Sequence, residues 1–195
     1  IANPNNKSIY LELLKFIGSD SSEADTSNDQ WLKNALAGAK NPAILHGLLG
    51  LQEISSGNVL TGEKHWRIAE QQYNKTKLIL SNLLELVATD RPEQFNNIVD
   101  MISLAIEMFS DEPRFYRTRG IYFANQGRYV EAIDDLSYAS EKLPNFIDIH
   151  QHLISCYEQT GNESALSEQM EILETKLGEL NATERRNMQR LIDKI

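Results

Sequence analysis

The sequence predicts an all-α fold of stacked antiparallel helical hairpins, and three observations carry that reading. Apolar residues recur at helical spacing in nearly every segment, with no convincing strand-like alternation. Glycine and proline are few, ten and five in 195 residues, which favours long helices over many short turns. Four series of residues recur in one register, at successive spacings of 34, 36 and 34.

The chain opens with a polar start and then a helical segment, 8–17, with Ile9, Leu13, Phe16 and Ile17 on one face. Residues 19–29 are polar and read as a loop. A helix over 29–40 carries Trp31, Leu32, Ala35, Leu36 and Ala39. Pro42 suits the first turn of the next helix, 43–56, which stops at Gly57-Asn58. Segments 60–73 and 75–89 follow closely. Asp90-Arg91-Pro92-Glu93 reads as a capping box opening a helix over 91–109. Asp111 or Glu112 caps 113–126, which begins with Pro113 and stops at Gly127. Segment 129–142 stops before Pro144-Asn145, 147–160 ends at Gly161-Asn162, and 163–178 ends near Gly178. Asn181-Ala182-Thr183-Glu184 is a second capping box, opening a last helix with Met188, Leu191, Ile192 and Ile195 on one stripe.

The four series explain how these segments pair. Gly57, Arg91, Gly127 and Gly161 end the first helix of each pair. Ala35, Ala69, Ala105 and Ala139 lie inside second helices, each preceded by three residues by Leu32, Trp66, Ile102 or Leu136. Gly50, Leu84, Gly120 and Ile154 lie inside first helices. A small residue lets two helices approach closely, and the large one a turn away fills the gap to the next hairpin. Glycine at the turn allows the left-handed conformation that reverses the chain. One hairpin cannot bury its apolar face alone, so hairpins stack.

These residues resemble the tetratricopeptide repeat family. Segment 113–146 matches best, with Tyr116, Gly120, Phe123, Gly127, Tyr129, Ala132, Leu136, Ala139 and Pro144 at signature positions, and Arg119 where the family usually has Leu. Segment 43–76 matches through Leu49, Gly50, Gly57, Trp66 and Ala69, with Gly62 where Ala is usual. Segment 77–112 is divergent and two residues longer, keeping Leu83, Val87, Ile102 and Ala105. Segment 147–178 keeps Leu153, Tyr157, Gly161 and Ala165. Residues 1–42 read as an N-terminal cap plus a degenerate leading repeat, and 179–195 as a capping helix. The resemblance implies a right-handed α-superhelix. It also implies a non-catalytic interaction scaffold that takes a peptide or protein segment in its concave groove.

By family register the groove positions are Ser81, Asn82 and Glu85 in the second repeat, and Arg114, Arg117, Thr118, Ile121 and Asn125 in the third. The fourth offers Asp148, Gln151, His152 and Ser155. The first offers apolar Gly47, Leu48, Leu51 and Ile54, an end that segment 8–17 is expected to cover. Arg114 and Arg117 share a face at i and i+3 and suit a carboxylate, unless Asp111, Glu112 or Asp148 takes them intramolecularly. A branch of the family clamps a peptide's terminal carboxylate with Lys, Asn and Arg. Here the matching positions hold Gly47, Leu51, Asn82, Arg114 and Thr118, so that clamp is expected to be absent.

The formal charge of −9 argues against nucleic acid, which requires local basic excess. No apolar run approaches the roughly 20 residues of a membrane helix. The lone Cys156 permits no internal disulfide. His152 and Cys156 share a face at i, i+4, but His150 does not and no third ligand is spaced correctly, so no metal or other cofactor is expected. No phosphate loop, nucleophile elbow or zincin motif occurs, and no catalytic residue is assigned. Asp134-Asp135 read as solvated charge. Asn6-Lys7-Ser8, Asn74-Lys75-Thr76, Asn162-Glu163-Ser164 and Asn181-Ala182-Thr183 fit the glycosylation acceptor pattern, which chance explains in a chain rich in Asn and Ser. The chain starts at Ile1 without Met and reads as a piece of a longer protein. Two alternatives to the scaffold are a regulatory or substrate-holding module of a larger enzyme, and self-association through the 188–195 stripe. Composition assigns no compartment.

Overall fold

The computed structural model describes residues 43–73, 75–90 and 97–179, together with Asn34 and Phe95. Among the described residues the regular elements are α-helices: α1 (Ala43–Ser55), α2 (Val59–Gln72), α3 (Thr76–Asp90), α4 (Ile98–Met108), α5 (Pro113–Asn125), α6 (Tyr129–Lys142), α7 (Ile147–Thr160) and α8 (Glu163–Glu179). The expected segments 8–17 and 182–195, and 29–40 apart from Asn34, lie outside the described residues. The chain divides into two compact units between Thr118 and Arg119, inside α5 and inside the expected 113–146 repeat.

Three helices end in the same way because three glycines stand in the same register. Gly57, Gly127 and Gly161 have φ of 87°, 75° and 70°. At each, the glycine N–H donates to the carbonyl three residues back, and the next N–H to the carbonyl five residues before itself. The bonds are Gly57→Ile54 and Asn58→Glu53, Gly127→Ala124 and Arg128→Phe123, and Gly161→Glu158 and Asn162→Tyr157. That pair of bonds is the Schellman motif, which satisfies carbonyls the helix end would otherwise leave unpaired. Asn162 then caps the following helix, its side-chain oxygen accepting the Ala165 N–H at 3.2 Å.

The fourth turn of the series departs from expectation. Position 91 is arginine rather than glycine, and Asp90 is the last residue of α3 instead of a cap for the next helix. Helix α4 starts at Ile98, after non-helical Phe95 and Asn97, not at residue 91. Two features outweigh the local capping signal. Leu83, Leu84, Leu86, Val87 and Ala88 are all buried, so packing carries α3 onward. Beyond it Phe95 is buried as an anchor, and Asn97 Nδ2 donates to the Ile54 carbonyl at 3.1 Å.

In the first unit, α1 and α2 form an antiparallel hairpin: contacts pair Ile54 with Gly62 near the turn, and Gly50 and Gly47 with Trp66 further along. A Cβ on Gly50 would overlap the Trp66 ring, and one on Gly62 would overlap Ile54. Glycine at both positions therefore brings the backbones close enough for the indole to lie between them. The Trp66 indole N–H is satisfied by the Gly47 carbonyl at 3.0 Å. Helix α3 packs on α1 and α2, and α4 on α3 and α1. In the second unit, the latter half of α5 meets α6, where a Cβ on Gly120 would lie 2.7 Å from Leu136 Cγ. Gly50 with Trp66 and Gly120 with Leu136 are thus the same contact in two repeats. Helix α7 packs between α6 and α8. Trp66, Ile102 and Leu136, and with them Ala69, Ala105 and Ala139, are fully buried, as the register predicts. Each large member contributes on the order of 1.5–3 kcal/mol of burial.

Candidate functional site: the first-helix faces

The positions expected to meet a partner lie on α3, α5 and α7. On α5 and α7 they fall at i, i+3, i+4 and i+7, with Asn125 one turn further along α5, and on α3 they fall at i, i+1 and i+4. On α3, Asn82 and Glu85 are half-buried, but Ser81 is buried and its hydroxyl donates to the Leu78 carbonyl at 2.9 Å. Thr118 on α5 is buried as well, and its hydroxyl has no hydrogen-bond partner among the described residues. Ser81 and Thr118 therefore do not offer contacts to a partner, because packing has withdrawn both from solvent. Gly47, Leu48, Leu51 and Ile54 are core residues. Leu80 of α3 stands over Gly47, and the covering expected from segment 8–17 lies outside the described residues.

The structure brings Glu85 and Arg117 together. Arg117 Nη1 donates to Glu85 Oε2 at 3.0 Å, with the two side chains 11% and 23% exposed. Neighbouring Arg114 donates to Glu112 Oε1 at 3.0 Å. The same oxygen accepts the Arg114 N–H at 3.2 Å, so Glu112 caps α5. Asp111 turns instead to Lys77, whose ammonium donates to both carboxylate oxygens at 2.7 and 2.8 Å. That hydrogen bond holds the Asp111 carboxyl below its usual range and raises Lys77. Both arginines singled out as anion holders already hold carboxylates of this chain.

Arg119 belongs elsewhere. In the second unit its Nε and Nη2 donate to Asp135 Oδ2 and Oδ1 at 2.7 and 2.8 Å, a fork that matches the carboxylate. Asp135 is buried, which corrects its reading as solvated charge; Asp134 beside it is exposed. The pair accounts for arginine at a position where leucine is expected, since a guanidinium turned toward α6 requires this counter-charge. Ile121 is half-buried and Asn125 exposed at the end of α5. On α7, Asp148, Gln151 and His152 are half-buried and Ser155 is exposed.

Among the described residues, no group of three or more His, Cys, Asp or Glu side chains is placed to hold a metal ion. His150 is buried with Nδ1 against Gln169 Oε1, and Cys156 is fully buried, which pushes its thiol up. No helix among the described residues is long and apolar enough to cross a membrane. The acceptor-like Asn74-Lys75-Thr76 has its threonine buried in the α2–α3 turn, the hydroxyl bonded toward the Ala69 carbonyl at 2.7 Å.

One feature escaped the sequence reading. Leu60 and Val130 are 74% and 68% exposed. They occupy the same repeat position, the second residue of a second helix, so the signal lay in two large apolar residues recurring outside every packing series. No protein-family model matches this chain, and no curated protein matches it.

Proposed function

We propose that this chain is a tetratricopeptide-like repeat module that holds a protein or peptide segment along its first-helix faces and performs no catalysis. One observation carries the reading. The first helices spend one side on the core and leave amides and hydroxyls on the other. On α7, Ile149, Leu153 and Cys156 are buried while Ser155 is exposed and Gln151 half-buried. A face of this kind gives hydrogen bonds and register to an extended segment without requiring a preformed cavity.

The ion pairs refine what such a partner offers. An anionic group approaching Arg114 or Arg117 has to replace Glu112 or Glu85, both already in hydrogen-bonded contact. The contacts offered without that exchange are Asn125, Gln151 and Ser155, which favour a polar or backbone-rich segment over an acidic one. The 188–195 stripe on which self-association rests lies outside the described residues. The test is capture of a protein by the full chain, identified by mass, and repeated with Asn125→Arg plus Ser155→Arg. Both positions are exposed, so the fold is expected to stand while capture is lost. Capture at unchanged yield by the folded double variant removes the proposal.

A further inference from the structure

The first hairpin carries two histidines face to face. His46 on α1 and His65 on α2 have their Nδ1 atoms 2.7 Å apart, with ring centroids at 5.0 Å and planes tilted by 34°. His46 is buried and His65 half-buried. A contact between two Nδ1 atoms at that length needs one proton: one ring donates it and the other accepts with its lone pair. When both rings are protonated, two N–H donors and two positive charges face each other, one of them out of water. The contact then has to open or lose a proton.

The repeat supplies an internal comparison. His150 and Gln169 occupy the same two positions of the last hairpin, each 104 residues further along the chain. His150 Nδ1 lies 2.9 Å from Gln169 Oε1. An amide oxygen only accepts, so that ring keeps a proton on Nδ1 in either charge state and the contact survives acid. In the second and third repeats the two positions hold Leu80 with Val99, and Tyr116 with Asp135.

Among the described residues, the neighbouring charges are paired with one another or exposed. On the helices packed against α1, Glu63 pairs with Arg67, Lys77 with Glu70 and Asp111, and Glu85 with Arg117. Lys64, Asp100 and Glu107 are exposed. Burial, and then the charge of His65, hold His46 below the ordinary imidazole value of 6.5.

We infer that the α1–α2 hairpin is an acid-sensitive latch, closed by one proton shared between His46 and His65 and opened when both rings are protonated. The sign follows from the chemistry. Unfolded, His46 takes up a proton near its ordinary value of 6.5; folded, it resists until lower pH. The stabilisation is therefore complete above that value and is lost as pH falls toward and through the folded one. The Trp66 indole, bonded to Gly47 beside these histidines, is uncovered by the same opening.

The test compares wild type with His65→Gln, which writes the pair of the last hairpin into the first. Melting midpoints are measured at about pH 7.5 and about pH 5.5, a range that spans histidine titration. Wild type is expected to lose at least about 3 °C more than the variant. Amide exchange, corrected for pH, is expected to place the extra opening in 43–72 and not in 147–179. Equal losses, or extra opening shared by both hairpins, overturn the inference. Should His65→Gln fail to fold, His46→Gln gives the same comparison. Ring titrations by NMR in wild type decide without any variant: His46 and His65 titrating independently at ordinary values also overturn it.

Discussion

The guanidinium of Arg119 grips both carboxylate oxygens of Asp135, at 2.7 and 2.8 Å. The equivalent positions of the second repeat hold Leu83 and Val99, an apolar solution to the same site. Removing one partner leaves the other charged and largely out of water. Asp135→Val alone is therefore expected to cost about 1.5–3 kcal/mol in urea unfolding. The double variant Arg119→Leu with Asp135→Val is expected to return to within about 1 kcal/mol of wild type, because hydrophobic replacement of a buried pair is often neutral or better. A double variant as unstable as the two single changes added together would show that the two residues are not coupled.

Glu85 and Arg117 set a second prediction. Glu85→Gln removes a charge from a pair whose arginine is mostly buried, and is expected to cost about 1–2 kcal/mol. Arg117→Glu places two carboxylates against each other and is expected to cost more. Circular dichroism melts of the two variants would check that order. A melting curve for Arg117→Glu that overlays wild type would mean the pair adds nothing to the fold.

The same substitution at two glycines is expected to give opposite signs. Gly50→Ala sets a Cβ into the Trp66 ring, and overpacking of this kind costs about 1–3 kcal/mol. At Gly178 in α8 a Cβ meets nothing within 4 Å. Gly178→Ala is therefore expected to gain about 0.5–1 kcal/mol from helix propensity. Equal effects at the two sites would place Trp66 elsewhere than against Gly50.

The hairpins, their turns and their packing positions were legible because each depends on a residue type that few positions tolerate. Glycine at 57, 127 and 161 and the alanines at 69, 105 and 139 are read directly from spacing. The start of α4 was not legible. Asp90 and Glu93 satisfy a local capping pattern, and the burial that extends α3 through Ala88 is a tertiary effect. The faces were half legible. Spacing located Arg114, Arg117 and Arg119 on α5 and offered Glu112, two residues from Arg114, as a partner, but Glu85 and Asp135 lie 32 and 16 residues from Arg117 and Arg119 and are set by side-chain direction across helices. Burial of Ser81 and Thr118 depends on neighbouring helices in the same way.

Cys156 gives a simple probe of the second unit. It is fully buried and burial raises its thiol, so both access and thiolate fraction are low in the folded chain. Alkylation by iodoacetamide is expected to be slow in buffer and to rise sharply across the urea transition. Labelling in buffer as fast as in urea would contradict the packing of α7.

Site-specific photocrosslinking in the full chain asks whether the first-helix faces hold a protein segment. A photoreactive residue is placed at Asn125 or Ser155 on the first helices, and at Gln71 or Glu141 on the second helices as controls, all of them exposed. Crosslinks to one protein are expected from Asn125 and Ser155, and background labelling from Gln71 and Glu141. Equal labelling from all four positions, or capture confined to the second helices, would contradict that expectation.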